Sequence, residues 1–362
     1  MLLYFCITFI LYIILIISVT DCGDNYELKR KHSIFFNNSI YKFLFISLIV
    51  LFWFLTAFRG SSIGNDTIHY LKYYIYFANN GINQNFHIEL GYQYFCLIIS
   101  KINPDPYFLL FVCATICYFI CGLCIYKHSN NVLFSTLLLF CVAFSFFTSG
   151  LRQSIAMVIV LIAYMKIKDN KKLIAIILIL LASLFHVSAL ITLLWFAHKH
   201  IPKKPELVII IALIISILAA SGTINEFLAN MLKKYQSYFD SENVGTGWLG
   251  ISYYTIRAFV FYIFIYIACG KNKKENSLSI SNSILLLITV CLGFSVNLFS
   301  RASLYFLLIT VVDIPNAFNS GKIKNRDVWM HTMGIVMLSY FIVELMIRPE
   351  WNNLYPYEFN WN

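Results

Sequence analysis

Four arginines, Arg59, Arg152, Arg257 and Arg301, stand where apolar stretches long enough to cross a membrane meet their borders. A guanidinium at mid-bilayer depth costs about 2.5–3.5 kcal/mol even on the lenient insertion scale, so four at such borders need a shared reason. An anionic ligand supplies one, because the planar fork of arginine grips phosphate oxygens in bidentate fashion. Two other groups could move protons. His186 sits inside an apolar run, and Asp66 follows Gly60 and Gly64 just after another. Each has a second use: Asp66 as part of an Asn65-Asp66-Thr67 helix cap, His186 as an interhelical hydrogen bonder.

The elements that must position these groups are set by composition. The chain has 362 residues, 60% hydrophobic and 12% charged, with a mean hydropathy of +0.74. Soluble domains run at roughly 45–50% apolar and about 25% charged, which makes this an all-α polytopic membrane protein. The net charge of +10 does not indicate nucleic acid, because the lysines lie in short loops rather than on a solvated domain. Residues 2–19 lack a basic n-region and a small-x-small cleavage site, so they are expected to form the first membrane helix rather than a secretory signal. The ten cysteines fall mostly in apolar spans and form no disulfide framework. Cys113, Cys117, Cys121 and Cys124 share one helix face and read as small packing residues, with no His or carboxylate to complete a metal site.

Spans are predicted near 2–19, 40–58, 107–126, 132–149, 151–167, 206–221, 251–269, 279–298, 302–319 and 328–347. Basic loops at 29–31, 166–172, 198–205, 270–276 and 320–327 separate them, and two longer polar segments occupy 59–106 and 222–250. The run 173–197 decides the topology. As one tilted helix it leaves 14 Lys and Arg inside against 13 outside; broken or re-entrant at Phe185-His186 it leaves 18 inside and 9 outside. The positive-inside bias selects the break, which predicts a single integral membrane domain over 1–362, a bundle of about 11–12 transmembrane helices. On that topology 59–106, 149–152, 222–250, 299–301 and 348–362 are outer. Five of the nine outer cations are Arg but only two of the eighteen inner ones, a sorting that topology alone does not require.

The order FRGSSIGNDTIHY (58–70), IELGYQ (88–93), SGLRQSIAM (149–157), LFHVSAL (184–190) and SRASLYF (300–306), closed by Tyr355-Pro356-Tyr357, resembles the EpsG family. These are membrane polysaccharide polymerases that include O-antigen polymerases of the Wzy type. The resemblance implies a GT-C-like bundle that moves a growing glycan from undecaprenyl diphosphate to the non-reducing end of a lipid-linked repeat unit. The reaction would take place at the outer, periplasmic face of the bacterial inner membrane. It implies no cofactor, no nucleotide sugar and no metal, since arginines can neutralise the diphosphate. A separate chain-length regulator is a further expected partner, and nucleic acid is not. An O-antigen ligase shares the donor and stays open as an alternative, as does a lipid-linked oligosaccharide flippase.

Cleaving an anomeric bond places negative charge on the departing diphosphate, which preorganised cations stabilise. Arg59, Arg152 and Arg301 are expected in that role, with Arg257 as a fourth. The acceptor hydroxyl needs a base, and His186 and Asp66 are the candidates. Glycan contacts are expected from Tyr70, Tyr92, Gln153 and Asn297. Tyr70, Tyr73, Tyr74 and Tyr92 would equally suit an interfacial aromatic belt.

Overall fold

A computed structural model describes residues 1–20, 39–221, 223, 247–269, 276–293, 297–320 and 325–361. The basic loop at 29–31, most of that at 270–276, half of that at 320–327 and most of the polar segment 222–250 lie outside the described residues.

The helices follow the apolar runs. They are α1 (Leu2–Thr20), α2 (Ser39–Ala57), α3 (Thr67–Asn80), α4 (Leu90–Ser100), α5 (Tyr107–His128), α6 (Val132–Ser149), α7 (Leu151–Lys168), α8 (Lys172–Ser183), α9 (Pro205–Ala220), α10 (Gly247–Cys269), α11 (Ser277–Leu292), α12 (Asn297–Ser320) and α13 (Arg326–Ile347). A 3-10 segment, Val187–Ala197, follows α8. Among the described residues the only β contact is an isolated bridge between Arg59 and Phe359. Among the described residues seven helices (α1, α2, α5, α6, α10, α12 and α13) are long and apolar enough to cross a membrane. Five shorter apolar segments accompany them: α4, α8, the 3-10 segment, α9 and α11. The all-α polytopic reading therefore holds, and so does the break: α8 ends at Ser183 and helical winding resumes, in a different form, at Val187.

One predicted border moves. The spans expected at 279–298 and 302–319 divide earlier, with α11 closing at Leu292 before Gly293 and α12 starting at Asn297. Gly293 explains the shift. A Cβ there would lie 3.0 Å from Ser300 Cβ, so a glycine favours this close approach of the end of α11 to α12. Arg301 thus sits in the second turn of α12 rather than in a loop.

The helices form two compact units. The first holds residues 1–187 and 324–362, and α6 is its axis, packed by α1, α2, α5, α7 and α13. Asn131 caps that helix by accepting from the Phe134 N–H at 3.0 Å. The second holds residues 188–323 and is built on α11, against which α9, α10 and α12 pack. Buried Asn282 of α11 joins two neighbours, accepting from Trp195 Nε1 at 3.1 Å and donating to the Phe306 carbonyl at 3.0 Å. The boundary between the units, between Val187 and Ser188, falls at the start of the 3-10 segment that follows the helical break.

Candidate active site

The site in the first unit is built from three of the short motifs. Gly150 is the whole connection between α6 and α7, and a Cβ there would lie 2.4 Å from the Phe146 ring. The chain therefore turns without a loop and sets Arg152 in the first turn of α7. A cation at that end opposes the helix dipole, whose amino terminus is already positive. Glu89 compensates. Arg152 Nη1 donates to Glu89 Oε2, and the two side chains are each 17% exposed. Tyr70 and Tyr92 stand beside the guanidinium, and its buried Nε has no hydrogen-bond partner.

The other oxygen of Glu89 reaches the break. Oε1 accepts from the Val187 N–H at 3.3 Å. That amide opens the 3-10 segment and has no partner within it, so the carboxylate acts as its cap. The break is seated on α4 by two more contacts. A Cβ on Gly91 would lie 2.6 Å from the Leu184 carbonyl oxygen, and the rings of Phe95 and Phe185 meet edge-on at 5.9 Å. Gln93, fully buried, holds the loop before α4: its amide donates to the Ile88 carbonyl at 2.7 Å and the Asn83 carbonyl at 3.1 Å, and accepts from the Asn83 N–H at 3.0 Å. In IELGYQ, then, Glu89 supplies charge, Gly91 closeness and Gln93 rigidity. None of the three was a candidate from sequence. A readable sign of Glu89 existed, since an arginine opening a membrane helix requires a carboxylate nearby.

His186 lies between these contacts, half-buried, with its N–H on the Ala182 carbonyl at 3.0 Å. Asp66 occupies the position before α3 but makes no side-chain capping bond there. The turn it ends is packed on the end of α6: Gly64 has φ +85°, a Cβ on it would lie 2.2 Å from the Thr148 carbonyl oxygen, and Thr67 Oγ1 donates to that carbonyl at 3.2 Å. Tyr92 is fully enclosed and Tyr70 nearly so, with ring centroids 5.8 Å apart, so protein covers the faces a sugar would stack on. Gln153 is buried in α7.

Arg59 has a different setting. It follows the carboxyl end of α2, its Nη1 donates to the Thr56 carbonyl, and it is completely buried near Tyr357, Cys113, Cys117 and Tyr118. Its Nε and Nη2 have no hydrogen-bond partner. Burial draws its pKa down to about 10, with the neighbouring Tyr357 acting in the opposite sense. The carboxyl-terminal tail covers it. Gly60 N–H donates to Glu358 O at 2.7 Å, Asn360 N–H to Phe58 O at 3.0 Å, Gly64 N–H to Asn353 O at 3.0 Å, and Tyr357 Oη to Leu55 O. The segments 58–67, 148–152 and 349–361, which the charge bias puts on one side, thus meet at one end of the unit.

Arg257 and Arg301 belong to the second unit. Arg257 is buried in α10 with its guanidinium 5.1 Å from the Tyr254 ring, and Arg301 is exposed on α12. Ser188, the first residue of that unit, has its hydroxyl 3.2 Å from that of Tyr305, which connects LFHVSAL to SRASLYF. Asn297 begins α12, and its side chain is outside the described residues. Asp313, buried in the middle of α12, is a carboxylate that the sequence reading passed over. Among the described residues no three His, Cys, Asp or Glu side chains are grouped to hold a metal ion.

Helical spans, a broken segment and motifs joined by direct contacts define a multi-pass membrane protein with a charged site at one end of a helical unit. The EpsG family model matches residues 42–359, most of the chain, and the protein belongs to the EpsG family, a Wzy-like polymerase family. No curated protein and no solved structure matches it.

Proposed function

We propose that this polysaccharide polymerase transfers a growing O-antigen glycan from undecaprenyl diphosphate to the non-reducing end of a lipid-linked repeat unit, at the periplasmic face of the bacterial cytoplasmic membrane. The supporting observation is the Glu89 carboxylate that joins the Arg152 guanidinium to the amide after His186. It keeps a cation suited to a diphosphate and a base suited to a hydroxyl on adjacent backbone. As the acceptor oxygen bonds to the anomeric carbon, its proton passes to His186. The bond from that carbon to the diphosphate breaks, and the diphosphate leaves with the electron pair, its charge met by Arg152. Asp66 is the second candidate base. Arg257 and Arg301 enter the proposal as further cations, and Gln153 and Asn297 as glycan contacts, on the sequence argument, while the covered rings of Tyr70 and Tyr92 and the sealed Arg59 are given positioning roles.

The test is lipopolysaccharide laddering in a deletion strain complemented with point variants at matched membrane levels. Loss of one preorganised donor costs about 100–1000-fold in comparable sites, so Arg152→Ala should collapse the ladder to a single repeat unit on core. His186→Ala should do the same. Core with no repeat unit would indicate a ligase instead. Full-length polymer from both Arg152→Ala and Arg301→Ala would return these residues to structural roles.

A further inference from the structure

We infer that Glu89 is a built-in competitor for the Arg152 guanidinium, exchanging with the diphosphate at each turnover. The inference rests on Arg152 being the diphosphate ligand. Between turnovers the guanidinium is engaged: Nη1 is on Glu89 Oε2, the Tyr70 side chain hydrogen-bonds it as well, and Nε is buried, so its outer edge opens to two phosphate oxygens only when the carboxylate lets go. Glu89 can let go without being stranded, because Oε1 keeps the Val187 N–H. The carboxylate therefore stays within reach and can recapture Arg152 as the diphosphate departs.

Such a competitor solves two physical problems. A cation strong enough to stabilise the leaving diphosphate also holds the product, and release limits turnover in many enzymes. A partly buried guanidinium without a counter-ion is also costly whenever the site is empty. Seating the loop against the break does not need the charge, since Gln93, the close approach of Gly91 to Leu184 and the Phe95–Phe185 contact already fix it there.

The exchange predicts binding and turnover moving in opposite directions. The experiment uses the full chain in lipid nanodiscs, with farnesyl diphosphate as the probe and farnesol as the uncharged control. Glu89→Gln keeps the acceptor for Val187 and removes the charge. It should bind farnesyl diphosphate about tenfold tighter, as expected for removing one charged hydrogen-bond rival, with farnesol unchanged and polymer output in cells reduced. Unchanged or weaker binding of farnesyl diphosphate by Glu89→Gln, or undiminished polymer, overturns the inference. If Glu89→Gln does not accumulate, Glu89→Asp, one methylene shorter, should tighten binding in the same sense by less, and failure to do so overturns it equally. Arg152→Ala separates the two levels. If it binds farnesyl diphosphate like the wild type, the reading of Arg152 itself fails. If it loses affinity while Glu89→Gln gains none, only the exchange fails.

Discussion

Arg59 and Arg152 look alike in sequence, each a lone arginine within two residues of a glycine at the border of an apolar run, and the fold treats them oppositely. Arg59 follows the carboxyl end of α2, where unpaired carbonyls attract a cation, and it donates to one of them, that of Thr56. Local helix chemistry accounts for its place. Arg152 opens α7, at the end where the dipole repels a cation, and it is held there by a carboxylate 63 positions away in sequence. A residue placed against its local preference and supplied with a distant partner needs a reason beyond folding. Arg59 is sealed under the tail among neutral groups, whereas Arg152 and Glu89 keep some exposure. Of the two, Arg152 is the one that an anion can reach without displacing chain.

The comparison breaks most readily at Gly91. A methyl group there would sit 2.6 Å from the Leu184 carbonyl oxygen and 2.7 Å from Leu184 Cβ, and backbone cannot yield as a side-chain tip would. Gly91→Ala should lose about 1–3 kcal/mol in thermal unfolding through overpacking. Because the shift carries His186 away from Arg152, polymer output should fall by more than stability explains. Normal laddering from a stable Gly91→Ala protein would mean that the seat of the break on α4 is irrelevant to the chemistry.

Arg59 gives a smaller effect of opposite sign. Its guanidinium is desolvated with two nitrogens unbonded, so Arg59→Met removes a charge at the cost of the bond to Thr56. The net expected change is a gain of about 1 kcal/mol, or about 2 °C in the unfolding midpoint. A base whose folded-state pKa is depressed destabilises the fold below that value, and the penalty fades as pH rises above about 10 toward the ordinary arginine range. The gain should therefore be equal at pH 7 and pH 9. A loss of several degrees would show the guanidinium to be a clasp for the tail.

The helices were legible because hydrocarbon thickness and apolar run length are linked by simple geometry. The break at 185–186 was legible for another reason, since no other reading of 173–197 satisfies the bias in Lys and Arg. The border between α11 and α12 was misread because it depends on how near Ser300 comes to Gly293, which hydropathy does not encode. Arg152 and His186 stood out as ionisable groups in apolar surroundings, but Glu89 did not, because it lies in a polar segment where a carboxylate is unremarked until its partner is seen. The tail over Arg59 was equally hidden, since it joins segments about 300 residues apart through backbone groups that every sequence carries.

The smallest expected effect isolates that tail. Tyr357→Phe removes one hydroxyl, the donor to the Leu55 carbonyl, and leaves the ring packing edge-on against Phe359 at 5.2 Å. A single neutral hydrogen bond is worth about 1 kcal/mol, too little to unfold the unit but enough to raise the open population of a strap several-fold. Amide hydrogen exchange at Gly60 and Asn360, whose N–H groups bridge the strap to the turn at 58–60, should speed up by about that factor, while the ladder keeps its wild-type length. That pattern would assign the Arg59 side to architecture and leave the chemistry with Arg152. If the ladder shortened in step with the faster exchange, opening of the tail would belong to the working cycle, and the contrast between the two arginines would be one of timing rather than of role.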